Sequence, residues 1–343
     1  MKLYFIVLIN LLFCFELKQN LSDYNIFIGD PKQLNASEKF IYYELITPLF
    51  TDYAFKHRLI YIPNQKKINY NEKKVFDFPK GTIIVKTFYY PLDFNNIDKE
   101  IDLVETRLLV HEKSGWKAYP YIWNNDDSDA ILSVAGGIKT VTWKNEENII
   151  NTIDYIVPNM NQCKGCHISN IFSEFKPIGP TARQLNKNVV YNNNEIKNQL
   201  KYWGEIGILA GLPDENIPKI ADWDDPHSGS LNDRARAWLD INCAHCHNKF
   251  GPAKTSGLFL DYYEENSKAL GINKTPVAAG RGSGKFKYDI VPGNPDESIL
   301  VYRFNSVDPG IMMPELGKTL VHKEGLELIR EWILNMEIQN NNY

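Results

Sequence analysis

The run Thr82-Ile83-Ile84-Val85-Lys86-Thr87-Phe88-Tyr89-Tyr90 decides the first half of the fold. It is rich in β-branched and aromatic residues, which fit a pleated, half-buried surface. Leu103 to His111 has the same character, and Trp116 to Trp123, Ile138 to Trp143 and Ile153 to Val157 are shorter candidates. Pro79-Lys80-Gly81, Lys113-Ser114-Gly115, Asn124-Asn125-Asp126-Asp127 and Lys144-Asn145 separate them as turns. Residues 25–157 are therefore expected to form a β-rich domain, a sandwich or a small barrel. No catalytic motif lies there, and His57 and His111 read as structural or exposed.

Beyond Pro158 the pattern changes to helices and loops. Leu200 to Leu209 reads as a helix that ends toward Gly211 and Pro213, and the Asp- and Pro-rich stretch 213–229 as a connector. Ser230 with Asp233 resembles a capping box. Leu231, Ala235, Trp238, Leu239 and Asn242 follow at helical spacing, which brings Cys243 to the end of that helix. A closing helix runs from about Lys323 to Met336, with Leu326, Ile329, Ile333 and Met336 on one face.

At the other end, Lys2 precedes a mostly apolar run from Leu3 to Phe15, and a polar stretch begins at Glu16. That layout predicts a signal peptide over 1–18 and a mature chain in the periplasm or exported further. The run is shorter than the roughly 18 residues a membrane-spanning helix needs. Cys14 stands where the cysteine of a lipoprotein would, making it the candidate for lipid attachment to a membrane, although Phe13 before it is bulky. The 343 residues are 43% hydrophobic and 23% charged, which excludes disorder and coiled coil and suits more than one domain. A net charge of −4 without a basic block argues against a nucleic-acid partner.

The chemistry lies in Cys163-Lys164-Gly165-Cys166-His167 and Cys243-Ala244-His245-Cys246-His247. Two cysteines two residues apart can each form a thioether to one vinyl group of the same haem, and the following histidine then lies beneath the iron on the first turn of a helix. Two such pentapeptides predict two covalently attached haem c groups, held by Cys163, Cys166, Cys243 and Cys246, with His167 and His247 as iron ligands. Structural zinc or disulfides are the alternatives, but neither gives a reason for a histidine directly after both pairs. His245, inside the second motif, reads as a passenger.

An iron-bound histidine needs its other ring N–H held by an acceptor. Gly179-Pro180 and Gly251-Pro252 follow the two motifs and resemble the Gly-Pro loop of monohaem cytochromes c, whose proline carbonyl takes that bond. Met312-Met313-Pro314 precedes the closing helix, where a Met-Pro pair supplies the opposite ligand in cytochrome c domains. Met313 is the candidate ligand to the second iron. Between His167 and Leu200 there is neither methionine nor histidine. The first haem is therefore expected to differ from the second, and spacing does not choose among His57, His111 and His227 as its ligand. Met160 lies too close to Cys163 to reach the opposite face. Arg281, in Gly280-Arg281-Gly282-Ser283-Gly284, is a candidate propionate partner. Trp203, Trp238 and Trp332 are expected to pack the haem crevices.

From about Phe78 to Met336 the chain resembles a group of bacterial exported dihaem c-type cytochromes of unassigned physiological role. The resemblance rests on Thr87 to Pro91 (TFYYP), Glu105 to Val110 (ETRLLV) and Gly115 to Asn124 (GWKAYPYIWN). It continues through NQCKGCH ending at His167, LNDRARAWLDINCAHCH ending at His247, Ala278 to Gly284 (AAGRGSG) and Pro309 to Gly317 (PGIMMPELG). It implies two covalent haems, an electron-transfer role and a non-haem N-terminal domain. The expected architecture is α+β and multidomain. The β-rich domain is followed by mainly α cytochrome c-like haem modules, the first over 158–212 and the second over 213–343. The expected function is electron transfer between periplasmic or outer-membrane redox partners. A dihaem peroxidase-like enzyme with one open haem, or a zinc or disulfide structural module, are the alternatives.

Overall fold

The computed structural model describes residues 15–169, 174–191, 195–277 and 280–336. Residues 1–14, with most of the expected signal segment and Cys14, lie outside the described residues. No helix among the described residues is long and apolar enough to cross a membrane.

The five sequence-predicted strands are present as Ile83–Pro91, Ile101–Glu112, Gly115–Trp123, Gly137–Lys144 and Ile150–Val157. The first three join Ile41–Tyr42, Phe55–Tyr61 and Ala130–Leu132 in one antiparallel sheet whose spatial order follows the chain. The two edge strands do not pair with each other, so the sheet is open, not a barrel. The two-residue turn Lys113-Ser114 closes the hairpin between Glu112 and Gly115, where Gly115 adopts φ +112.

Alternation assigns the two faces. Val85 pairs with Leu59 and Leu108, and this face is buried with Leu21, Ile26 and Tyr121. On the other face Phe88, Tyr90 and Val104 pack under Val141, Trp143 and Tyr155 of the Gly137–Lys144 and Ile150–Val157 hairpin. At its opposite end Ile60 and Ile84 pack with Phe78, Ala182, Leu185 and Trp203. Between these clusters Arg58, Lys86 and Arg107 stand directly opposite one another across three strands. Like charges so placed repel. Glu105 pairs with Arg107, while Lys86 and Arg107 lie 5.0 and 4.5 Å from the Phe88 ring centre.

The second half is not a pair of mainly α cytochrome c-like haem modules, which corrects the expected fold class. Six α-helices are present among the described residues, α1 (Met160–His167), α2 (Ala182–Leu185), α3 (Gln199–Glu205), α4 (Leu231–Asn242), α5 (Ile299–Phe304) and α6 (Lys323–Leu334), the longest having twelve residues. The physical reason is punctuation by Gly, Pro and Asn, which leaves few windows long enough for a stable helix. The expected Leu200–Leu209 helix shows this. It stops before Gly207, which adopts φ +78, and Leu209–Ala210 instead forms a parallel pair with Ile68–Asn69. Further short strand pairs are Ile168–Ser169 with Glu174–Phe175, and Asn188–Val190 with Ile196–Asn198.

Where the helical signals were strongest they hold. Ser230 Oγ accepts from Asp233 N, and Ser230 N donates back to the Asp233 carboxylate, both at 3.1 Å, starting α4. Trp238 and Leu239 of α4 pack against Leu326, Ile329 and Ile333 of α6. The halves are stitched to each other. The buried Asp52 carboxylate accepts from Thr319 N at 2.7 Å and Leu320 N at 2.8 Å, and Asn242 Oδ1 accepts from Phe50 N at 2.8 Å.

Candidate metal centre

Asn159 and Gln162 form a reciprocal capping box at 2.8 and 2.9 Å and start α1. Cys163 to His167 are the last five residues of that helix. The second motif follows the end of α4 in tight turns, with Cys246 N and His247 N both donating to Cys243 O at 3.1 and 2.9 Å. Both motifs therefore end a helix; neither opens one. Gly251 is required below the second motif, because a Cβ there would lie 2.2 Å from the Cys246 carbonyl oxygen.

Eighty positions apart in sequence, the motifs meet in space. The ligand atoms of Cys166, His245 and Cys246 lie within 4.8 Å of one another, and Cys246 Sγ lies 3.7 Å from Gly165 O. The four cysteines are free thiols. A hydrogen bond between Cys166 and Cys246 pulls the Cys166 thiol well below its ordinary range and pushes Cys246 up. Burial pushes Cys163 up, and Cys243 to about 12. His245, read from sequence as a passenger, is the residue that sequence reasoning missed. It belongs to the second motif and meets Cys166 of the first, and its Nδ1 is buried with no hydrogen-bond partner among the described residues.

His167 Nδ1–H donates to Lys176 O at 2.8 Å and His247 Nδ1–H to Leu258 O at 3.3 Å. Both rings are thereby fixed in the tautomer whose Nε2 lone pair is left for a metal. The expected acceptors, the carbonyls of Pro180 and Pro252, are not the ones used; Pro180 O instead accepts from Phe76 N at 3.4 Å. After the first motif the chain reverses through the Ile168–Ser169 and Glu174–Phe175 pair, so the Lys176 carbonyl reaches the ring before Pro180 does; after the second, the acceptor Leu258 lies six residues beyond Pro252. Burial lowers His167 to about 3 and His247 to about 4, keeping both imidazoles neutral at ordinary pH.

Two cavities flank the meeting point and share Cys166 and His245 as a wall. The smaller, about 560 Å³, is lined by Cys243, Cys246, His247 and Met313. The larger, about 1030 Å³, is lined by Cys166, His167 and His111. Such volumes suit a cofactor. Met313 is half-buried, and its N–H donates to Arg303 O at 3.1 Å, tying it to α5. Met312 is buried and does not line the cavity. The structure thus brings six sequence-predicted residues, Cys166, His167, Cys243, Cys246, His247 and Met313, to the cavity walls, with Cys163 one helical turn before Cys166.

Other expectations are not met. Arg281 is exposed and pairs with Asp308 at 2.7 Å; the cations lining the smaller cavity are Lys274 and Arg303. Trp203, Trp238 and Trp332 line neither cavity and pack the protein core, with Trp238 Nε1 donating to His322 and Trp332 Nε1 to Asn232. Their apolar spacing marks a buried face and does not specify what covers it. Comparison of the chain with family models, with curated proteins and with solved structures finds no match.

Proposed function

We propose that this chain is a dihaem c-type electron-transfer protein, each haem c tethered by one cysteine pair, working outside the cytoplasm between other redox proteins. The reading is carried by one observation. Each C-x-x-C-H histidine has its Nδ1–H bound to a backbone carbonyl and faces a cofactor-sized cavity, and the second cavity also holds Met313. The residues fit the group. Cys243 and Cys246 supply two sulfurs, His247 a neutral imidazole, and Met313 a thioether on the same cavity wall. When bound, haem supplies one-electron chemistry at its iron. The chain's own residues fix, orient and shield it. Because the Cys166 and Cys246 sulfurs are adjacent, these two tethers would hold their groups close to each other.

Intact mass after acid–acetone extraction tests the reading on chain matured in cells with the haem-attachment machinery. The expected excess over the polypeptide is two haems; no haem overturns it. Met313→Ala should abolish the weak near-infrared sulfur-to-iron absorption and lower one haem's potential, within the roughly 0.8 V range that axial ligands span. Met312→Ala should leave both unchanged, and the reverse result would assign the ligand to Met312.

A second reading is favoured by the Cys166, His245 and Cys246 cluster, whose two sulfurs and one nitrogen suit zinc. It predicts a colourless chain with one zinc by elemental analysis, and metal loss on His245→Ala.

A further inference from the structure

We propose that His111 is the sixth ligand of the iron carried at the Cys163–His167 motif. The inference rests on the haem reading above and names the one ligand which that reading lacks. Three of the seven histidines, His111, His167 and His245, line the larger cavity, and no methionine does. His57 is half-buried and stacked on Tyr42, His227 is exposed in the 213–229 segment, and His322 Nδ1 accepts from Trp238. His245 belongs to the second motif, and its ring nitrogen lies at the Cys166 and Cys246 sulfurs. Of the three lysines on the wall, Lys176 pairs with Glu174 at 3.1 Å, Lys73 sits over the Tyr263 ring and Lys74 is exposed.

His111 is prepared as a ligand in the same way as His167. Its Nδ1–H donates to Phe78 O at 2.9 Å, which leaves the Nε2 lone pair with no partner among the described residues. Its ring lies flat on Trp116, 4.6 Å away and 7° from parallel, as His167 lies on Phe175 at 4.9 Å and 3°. Its backbone is pinned as well, with His111 N donating to Thr82 O at 2.9 Å and His111 O accepting from Gly81 N at 2.7 Å. A strand residue so held has little freedom left to lose on binding a metal. The two irons would then differ in kind, the first with two imidazoles and the second with imidazole and thioether. The first would have the lower potential.

The test uses the full-length haem-loaded chain, read by electron paramagnetic resonance, carbon monoxide binding after reduction, and intact mass. The wild type should show two low-spin irons. His111→Gly should keep two haems by mass but show one high-spin iron that binds carbon monoxide, and added imidazole should restore the low-spin signal. His111→Met, which keeps a ligand in place, should add a second near-infrared sulfur-to-iron band and raise the potential of one haem. Two haems with both irons still low-spin and closed to carbon monoxide in His111→Gly would overturn the assignment, as would His111→Met with no second band. A wild-type chain without haem would overturn the function itself, not this ligand.

Discussion

Changing Cys163 and Cys166 together to serine is expected to leave one haem per chain, and changing Cys243 and Cys246 the other. A serine hydroxyl of the same size cannot form the thioether, so each double variant removes one covalent tether and little else. The two products should not be equivalent. The chain lacking the first pair should keep the near-infrared sulfur-to-iron band, because Met313 lines the cavity of the second pair. The chain lacking the second pair should lose that band together with the haem. Intact mass and the near-infrared spectrum therefore give four readings from two variants. Two haems surviving in either variant would remove the role assigned to its motif. A band that disappears with the first pair would put Met313 on the wrong haem.

Asp240→Ala is expected to cost about 3–5 kcal/mol of stability, because it leaves a buried guanidinium without its anion. Asp240 Oδ2 accepts from Arg183 Nε and an Nη at 3.1 and 2.7 Å, and its other oxygen accepts from Tyr262 N at 2.9 Å. Both partners are 8% exposed. Arg183 also donates to Lys73 O at 2.9 Å, so one side chain of α2 joins α4 to the connection between the Phe55–Tyr61 and Ile83–Pro91 strands. Denaturant unfolding should show a lower midpoint with an unchanged slope. Replacing both members, Asp240→Leu with Arg183→Met, should recover much of the loss, since the penalty lies in the orphaned charge. Asp308→Ala is the control. Its pair with Arg281 is at the same 2.7 Å but exposed, and should be worth at most about 1 kcal/mol. Equal losses at the two sites would refute the argument from burial.

The strands were legible because alternation and β-branched content are local properties, and the sheet uses them directly. Val85 and Leu108 point to one face because their neighbours in sequence do not. The Ser230–Asp233 cap was legible for the same reason. The mainly α second half was an inference from the company that C-x-x-C-H usually keeps, and local punctuation at Gly207 and Gly211 outweighed it. What sequence could not reveal is distance. Cys166 and Cys246 are close because packing such as that of Ala182, Leu185 and Trp203 on Ile60 and Ile84 of the sheet folds the chain back between them, and no spacing rule measures that. His245 was undervalued on the same ground, since its importance lies in the motif across from it. His111 was visible as a histidine at the end of a strand, but the role proposed for it depends on the Phe78 carbonyl, which leads into the neighbouring strand, and on the Trp116 ring that the hairpin brings to it.

The contact between Cys166 and Cys246 also constrains the order of events in the life of the chain. Outside the cytoplasm, neighbouring thiols are oxidised to disulfides. If the halves closed first, a Cys166–Cys246 bridge would take one sulfur from each pentapeptide and leave Cys163 and Cys243 stranded, so a single misplaced bond would disable both sites at once. On the proposed reading, attachment has to precede closure. Biogenesis would then be a race between two modifications of the same sulfurs, and folding too early, not too slowly, would be the hazard.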